Sequence, residues 1–247
     1  MRLENRFSDK PLCVPQSCAR CTPGAADTAS LLLVEEHVLT LFINGEKAHT
    51  FICSPAQLTE LCIGWMTSEG FLPTPEDLLS LTISDDGSQA NAQTAGRTAF
   101  EPAPFPVFHR PDPCRITEAM ECLYGEGTVH SATHGTHGCV LIAEDGTALL
   151  FEDIGRYNAA DKAIGAAVLQ GRCMERCMLF SSGRVPQGMV LKMARSRIPV
   201  LISKAVTTVS AMETARNYRV TLCFSARTDT FFCHPDQTVF EGGADFE

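Results

Sequence analysis

The chain has no apolar run near the roughly 20 residues that a helix needs to cross a bilayer. Residues 1–12, MRLENRFSDKPL, hold no apolar segment of the kind found in a secretory signal. A cytoplasmic protein without a membrane partner is the expectation. Positive charge is also scarce. The sequence has 20 Lys and Arg against 29 Asp and Glu, with a net charge of −9 and a pI near 5.3. A broad nucleic-acid surface is therefore not expected, whereas a local basic pocket for a phosphorylated small molecule is compatible with this balance. No internal repeat is evident.

Cysteine, by contrast, is abundant, with twelve in 247 residues. Without a secretory signal, a disulfide framework is not expected. Cys53, Cys62, Cys139 and Cys223 fall in apolar strand or helix patterns and read as small core residues. Cys18 and Cys21 form a C-x-x-C with no second C-x-x-C or H-x-H partner, whereas a zinc knuckle needs four ligands. An unstructured thiol-rich tail is the favoured reading there.

The hydrophobic content of 45% suits one large or two small domains. Residues 1–30 read as a flexible or partly ordered lead, 31–113 as a smaller α+β part and 114–247 as an α/β domain. Asn44-Gly45 between two apolar runs, 38–43 and 48–53, predicts a hairpin. Ser54-Pro55-Ala56-Gln57 reads as a capping box opening a helix with Leu58, Leu61, Cys62 and Trp65 on its buried face, ended by Gly70. A strand over 78–84 follows, then a polar stretch to Gly96. Five prolines make 102–113 extended. Beyond a helix over 116–124, strands at 138–143 and 147–152 flank Glu144-Asp145-Gly146. Helices at 158–169, 186–196 and 207–217 then alternate with strands at 178–181, 199–203 and 220–224, and a last strand covers 230–233. Strands separated by helix-length segments imply parallel pairing and a layered sheet.

The densest polar cluster is FEDIGRYNAADKAIG, residues 151–165. Its charges sit where a strand hands over to a helix, a place where loops commonly carry binding groups. A capped helix start, with Asn158 as N-cap and Asp161 at its third position, would account for those two residues but not for the acidic pair, Gly155 and Arg156 before them. Ser181-Ser182-Gly183-Arg184 follows a strand and precedes a helix, so its peptide N–H groups, hydroxyls and guanidinium can meet a phosphate. An ordinary helix-opening turn is the alternative. In Thr133-His134-Gly135-Thr136-His137-Gly138, the H-x-x-H spacing lacks an obvious third metal ligand.

These segments resemble the formate dehydrogenase accessory family, FdhD/NarQ. EDIGRYNAADKAIG is similar to the EDxGRHNAxDKxxG signature of that family. Collinear similarities are Glu36 to Gly45 with the opening strand and NG turn, and Ser54-Pro55-Ala56-Gln57-Leu58 through Ser68-Glu69-Gly70 with the tPxDLxxfaxGfLxsEG helix. Thr133 to His137 resembles TGGxH, Ser182-Gly183-Arg184-Val185 through Ser203 resembles SGRvxxEmvxKxxxxgIPvlvS, and Ser225 to Pro235 loosely resembles the closing strand. Together these similarities cover about residues 31–236.

The resemblance implies a cytidine-deaminase-like three-layer α/β C-terminal domain with a smaller N-terminal α+β part. It also implies a sulfurtransferase that passes persulfide sulfur from a cysteine desulfurase to the bis-molybdopterin guanine dinucleotide cofactor of formate dehydrogenase, with no metal bound directly. A homodimer is plausible from the resemblance alone. His137 falls on the family His. The residues expected to hold the guanine-nucleotide-containing cofactor are His137, Arg156, Asn158, Ser182, Gly183, Arg184, Phe224, Ser225, Ala226, Arg227, Thr228 and Asp229.

The sequence departs from the family at a central point. The family has a C-G-x-C-G motif, and the corresponding stretch here reads FPVFHRPDPCRIT, residues 105–117. Cys114 is the remaining candidate for the sulfur-bearing thiol, because a helix N-terminus and the adjacent Arg115 both lower a thiol pKa. An incidental helix-start cysteine is the alternative. Tyr157 stands where the family has His, Gly188 where it has Glu, and Thr207 where it has Pro. Two other functions are weighed against sulfur transfer. A non-catalytic cofactor-binding chaperone fits the missing motif. A zinc deaminase would need H-x-E and P-C-x-x-C, which are absent.

Overall fold

The computed structural model describes residues 1–96, 101–109, 111, 113–125, 128–227 and 230–234. The lead over residues 1–30 is strand-rich, contrary to expectation: β1 (Arg2–Asn5), β2 (Cys13–Thr22) and β3 (Ala25–Val34). β2 and β3 form a hairpin through Pro23-Gly24, with Gly24 at φ 92°. This hairpin is a two-stranded sheet of its own with most side chains exposed, so no apolar alternation marks it in the sequence. Residues three apart on a strand face opposite ways, so Cys18 and Cys21 do not converge.

β4 (His37–Ile43) and β5 (Glu46–Cys53) form the predicted hairpin. Asn44 and Gly45 have φ of 51° and 87°, the two left-handed conformations of a type I′ turn. Helix α1 (Leu58–Ser68) follows, without the expected capping box. Ser54 is drawn elsewhere: its N–H donates to Asp153 at 2.9 Å and its hydroxyl accepts from Ile154 N at 3.2 Å. Gln57 takes the N-cap in a left-handed conformation, and its N–H donates to Asp9. β6 (Leu78–Ile83) is as predicted, and β7 (Gln89–Thr94) forms in the stretch read as polar loop, burying Ala90 and Ala92. The first large sheet has the order β1-β6-β7-β4-β5 and packs one face on α1.

Helices α2 (Pro113–Tyr124) and α3 (Val129–Thr133) lead to the antiparallel pair β8 (His137–Ile142) and β9 (Ala148–Asp153). Then α4 (Arg156–Leu169), α5 (Gln187–Arg195) and α6 (Val209–Tyr218) alternate with β10 (Met178–Ser181), β11 (Val200–Ser203) and β12 (Thr221–Cys223). β10, β11 and β12 are parallel, as predicted, and the sheet order is β12-β11-β10-β8-β9. The predicted last strand is reduced to a bridge between Phe224 and Phe232.

Alternation along these strands sends Cys139, Leu141, Leu179, Leu201 and Leu222 toward α4, α5 and α6, and Val140, Phe180, Ile202 and Cys223 toward α2. Helices therefore cover both faces of the second sheet. The two halves of the molecule meet where α1 crosses α4. A Cβ at Gly64 would lie 1.7 Å from Asp161 O, and one at Gly165 would lie 1.9 Å from Glu60 O. Only glycine permits backbones to approach so closely. Among the described residues, no helix is long and apolar enough to cross a membrane.

Candidate functional site

The carboxyl ends of β10, β11 and β12 carry three loops tied together by hydroxyls and peptide groups. Ser203 Oγ donates to Gly183 O at 2.8 Å and accepts from Ala205 N at 3.0 Å. Ala226 N donates to Ser203 O, and Ser225 N donates to Ala205 O. Ser182 Oγ accepts from Gly138 N at 3.1 Å, while Ser182 N donates to Gly138 O at 3.0 Å. Crevices at the carboxyl ends of parallel strands are the usual ligand sites of α/β sheets.

Arg156, from the start of α4, and His137, from the start of β8, converge on Gly183. A Cβ at Gly183 would lie 3.0 Å from Arg156 Cβ, 3.1 Å from its Cδ and 3.4 Å from His137 Nδ1. The missing side chain thus keeps this floor open. Arg156 Nε is buried and has no hydrogen-bond partner among the described residues, an orphaned donor of the kind a ligand satisfies. Its guanidinium carbon lies 5.0 Å from the Tyr157 ring centroid. Burial first, then Arg156 and His130, push the His137 pKa below its ordinary value. His137 Nδ1 lies 3.4 Å from Ser182 Oγ. With that hydroxyl donating, the ring proton sits on Nε2.

Arg184 is exposed on the first loop. Arg227 Nη1 donates to Lys204 O at 3.0 Å and to Ala226 O at 2.8 Å, bracing the second loop with the third. Lys204 Nζ lies 3.8 Å from the Tyr124 ring centroid. Arg156, Arg184, Lys204 and Arg227 therefore gather at one end of the sheet in an acidic chain, an arrangement whose chemistry suits anionic oxygens. Lys204 escaped the sequence reading, although its place directly after an apolar strand marks it as a loop residue of the same kind. Phe224 is half-buried and stacked on Phe232. Thr228 and Asp229 lie outside the described residues.

Most of the 151–165 cluster builds the frame instead of the cleft. Asp153 accepts from Ser54 N, Gly155 N and Asn158 Nδ2 and pairs with Lys162 at 2.7 Å, with both charged side chains fully buried. Glu152 accepts from Val129 N, His130 N and Thr136 Oγ1, holding α3 and the approach to His137. Asp161 accepts from Ser68 and Lys192. Asn158 is not the N-cap. Gly155 caps α4, and Asn158 Nδ2 donates to Ile52 O at 2.7 Å and Asp153 at 2.9 Å. A cavity of about 390 Å³ beside this frame is lined by His49, Trp65, Glu69, Tyr157, Gly188 and Lys192, among others.

Cys114 is the second residue of α2, and its side chain is outside the described part of the structure. The helix nonetheless locates it. Arg115 lies against Gly146 in the β8–β9 turn and lines a cavity with Met178 and Val200, at the starts of β10 and β11. Leu123 lies against Gly138, and Tyr124 lies beneath Lys204. α2 therefore begins at the end of the sheet remote from the cleft, roughly 15 Å from its own cleft-side end at 1.5 Å per residue. Among the described residues, no three His, Cys, Asp or Glu side chains gather to hold a metal.

The profile of the FdhD/NarQ family matches residues 34–106 and 97–238. A sulfur carrier protein FdhD from Geobacillus kaustophilus is 28% identical over 225 residues, covering 79% of this chain and 85% of its own. The protein of that name from Wolinella succinogenes is 29% identical, covering 79% and 78%. The one from Staphylococcus aureus is 26% identical, covering 94% and 98%. A crystal structure of a protein from Desulfotalea psychrophila, provisionally assigned as a formate dehydrogenase accessory protein, superposes with a TM-score of 0.81 at 22% identity, covering 92% of this chain and 99% of its own.

Proposed function

This chain belongs to the FdhD/NarQ family, and we propose that it is a sulfur carrier in formate dehydrogenase maturation, acting in the cytoplasm. It takes sulfur from a cysteine desulfurase and delivers it to the bis-molybdopterin guanine dinucleotide destined for formate dehydrogenase. The observation that carries the reading is the convergence of Arg156, His137 and Gly183 beside an orphaned buried Arg156 Nε. Two kinds of support meet here: relatives named as sulfur carriers, and a cationic floor suited to a guanine nucleotide. We read the β8–β12 core as cytidine-deaminase-like.

Arg156, Arg184 and Lys204 supply cations for the phosphates of the client cofactor, with the peptide groups of Ser182 and Gly183 beside them. His137, neutral near pH 7, offers its Nε2 proton as a hydrogen-bond donor. The 225–227 loop walls the other side, where its peptide groups can read a base edge. The chain's own chemical task is to hold sulfur on a thiolate. Cys114 has the helix N-terminus and Arg115 in its favour, but its place at the far end of α2 counts against direct delivery.

A second reading is a cofactor-binding chaperone without sulfur transfer, favoured by the missing C-G-x-C-G and the remote Cys114. The test is peptide mass mapping after incubation with a cysteine desulfurase and cysteine, alongside equilibrium dialysis with guanosine diphosphate. Sulfur transfer adds about 32 Da, one sulfur atom, or leaves a disulfide in its wake. Nucleotide binding should fall at least about tenfold in Arg156→Ala, the scale of one charge-assisted contact. Nucleotide binding with no sulfur gained by any cysteine and no new disulfide selects the chaperone. Failure of both removes the proposal.

A further inference from the structure

Two thiols lie much closer to the cleft than Cys114. Phe224 and Phe232 exchange both peptide hydrogen bonds, N–H to O at 2.9 and 3.0 Å, as an antiparallel bridge. One step along this register sets Cys223 opposite Cys233. Next to a doubly hydrogen-bonded pair, the facing residues form the close type, with Cα atoms about 4.5 Å apart. That separation lies within the range a disulfide spans. The packing agrees independently, because Cys223 and Cys233 both join the cluster between the sheet and α2, while Phe224 and Phe232 stack on each other. Cys223 is fully buried and Cys233 half-buried. The segment between them includes Ser225, Ala226 and Arg227, the third wall of the cleft.

We propose that Cys233 is the sulfur-accepting thiol and Cys223 the resolving thiol that releases sulfide beside the cleft. This assignment rests on the sulfur carrier reading. In the first step the Cys233 thiolate attacks the outer sulfur of the donor persulfide. The donor S–S bond breaks, the donor leaves as a thiol, and Cys233 becomes a persulfide. In the second step the Cys223 thiolate attacks Cys233 Sγ, and the outer sulfur leaves with both electrons of the broken bond. The outer sulfur is reduced to hydrogen sulfide, which takes up the proton, and the two cysteine sulfurs are oxidised to a disulfide. A low-molecular-weight dithiol then returns the pair to its starting state by disulfide exchange. Burial raises both thiols above their ordinary pKa. The second step compensates through proximity, because the attacking sulfur already faces its target.

Trypsin makes the pair easy to follow. Cleavage after Arg219 and Arg227 gives peptides 220–227 and 228–247, each with one cysteine. The intact protein is incubated with a cysteine desulfurase and cysteine, alkylated and digested without reductant. We expect the two peptides to appear disulfide-linked, with one sulfide released per link. In Cys223→Ala, peptide 228–247 should instead gain about 32 Da and sulfide release should fall at least tenfold. Cys233→Ser, which spares the more buried position, should abolish both signals, with thermal melting confirming that each variant folds. Sulfur on Cys114 or another cysteine, with 220–227 and 228–247 unlinked, overturns this assignment and leaves the sulfur carrier reading standing. No sulfur on any cysteine, and no link, overturns both.

Discussion

The Tyr157 hydroxyl occupies the space that a side chain at position 188 would fill. A Cβ added to Gly188 would lie 3.1 Å from Tyr157 Oη and 3.7 Å from two ring carbons. These are two of the positions where the chain departs from the family pattern, with Tyr for His and Gly for Glu. The two departures therefore form a single exchange of volume between α4 and α5. Gly188→Glu should be tolerated better with Tyr157→His than alone. A double-mutant cycle by urea unfolding should give a coupling of about 0.5–3 kcal/mol, as for contacting residues. Additive effects would show that the two positions are independent.

Lys162 and Asp153 form an ion pair with no exposed side-chain surface. Lys162→Met keeps most of the volume but leaves the carboxylate with only its neutral donors. Breaking one side of a buried pair costs about 3–5 kcal/mol, and a loss of that order is expected in urea unfolding. A loss under 1 kcal/mol would mean that Ser54 N, Gly155 N and Asn158 alone satisfy Asp153.

Gly165→Ala puts a methyl group 1.9 Å from Glu60 O and 2.8 Å from Gly64 N, both backbone atoms. No side-chain rotation relieves that contact, so α1 and α4 must separate. Overpacking typically costs about 1–3 kcal/mol, and the melting temperature should drop by several degrees. The contrasting control is Gly171→Ala, where nothing lies within 4 Å and only the positive φ of 66° opposes the change. Equal losses for the two variants would rule out helix separation as the cause.

His137 is held below its ordinary pKa of about 6.5 by burial first and then by Arg156 and His130. As pH falls through 6.5, the unfolded chain takes up a proton here while the folded chain does not. Stability at this site is therefore full above about pH 6.5 and declines below it, until the folded histidine also protonates. His137→Gln should show a smaller loss of urea midpoint between pH 7.5 and 5.5 than the wild type. Identical losses would assign the acid sensitivity elsewhere, for instance to His49, which burial lowers in the same direction.

The hairpin at Asn44-Gly45 and the three parallel strands were legible because local chemistry decides them: paired left-handed turn residues, and apolar runs separated by helix-length segments. β2, β3 and β7 were not. The first two show no buried alternation, and β7 buries only two alanines among polar residues. Ser54 illustrates a different failure. Its capping-box pattern is real in sequence, but a carboxylate 99 positions away takes its N–H. The same long-range pairing turned most of the 151–165 cluster into frame, leaving Arg156 as its main contribution to the cleft. The resemblance to a family marked the right segments without saying which side chains face a ligand. The facing of Cys223 and Cys233 depends on a bridge closed by a short return of the chain, which no periodicity announces.

The contact of Gly64 with Gly165 joins the two halves by backbone rather than by side chains. Side-chain interfaces can slide, because rotamers adjust as the surfaces shift. Two helices touching at their main chains have no such slack. The first sheet and the cleft-bearing sheet should therefore behave as one thermodynamic body, melting in a single calorimetric transition despite their separate cores. Any ligand then meets Arg156, at the start of α4, on a helix already fixed against α1. Its binding should show little of the heat-capacity change that accompanies domain closure.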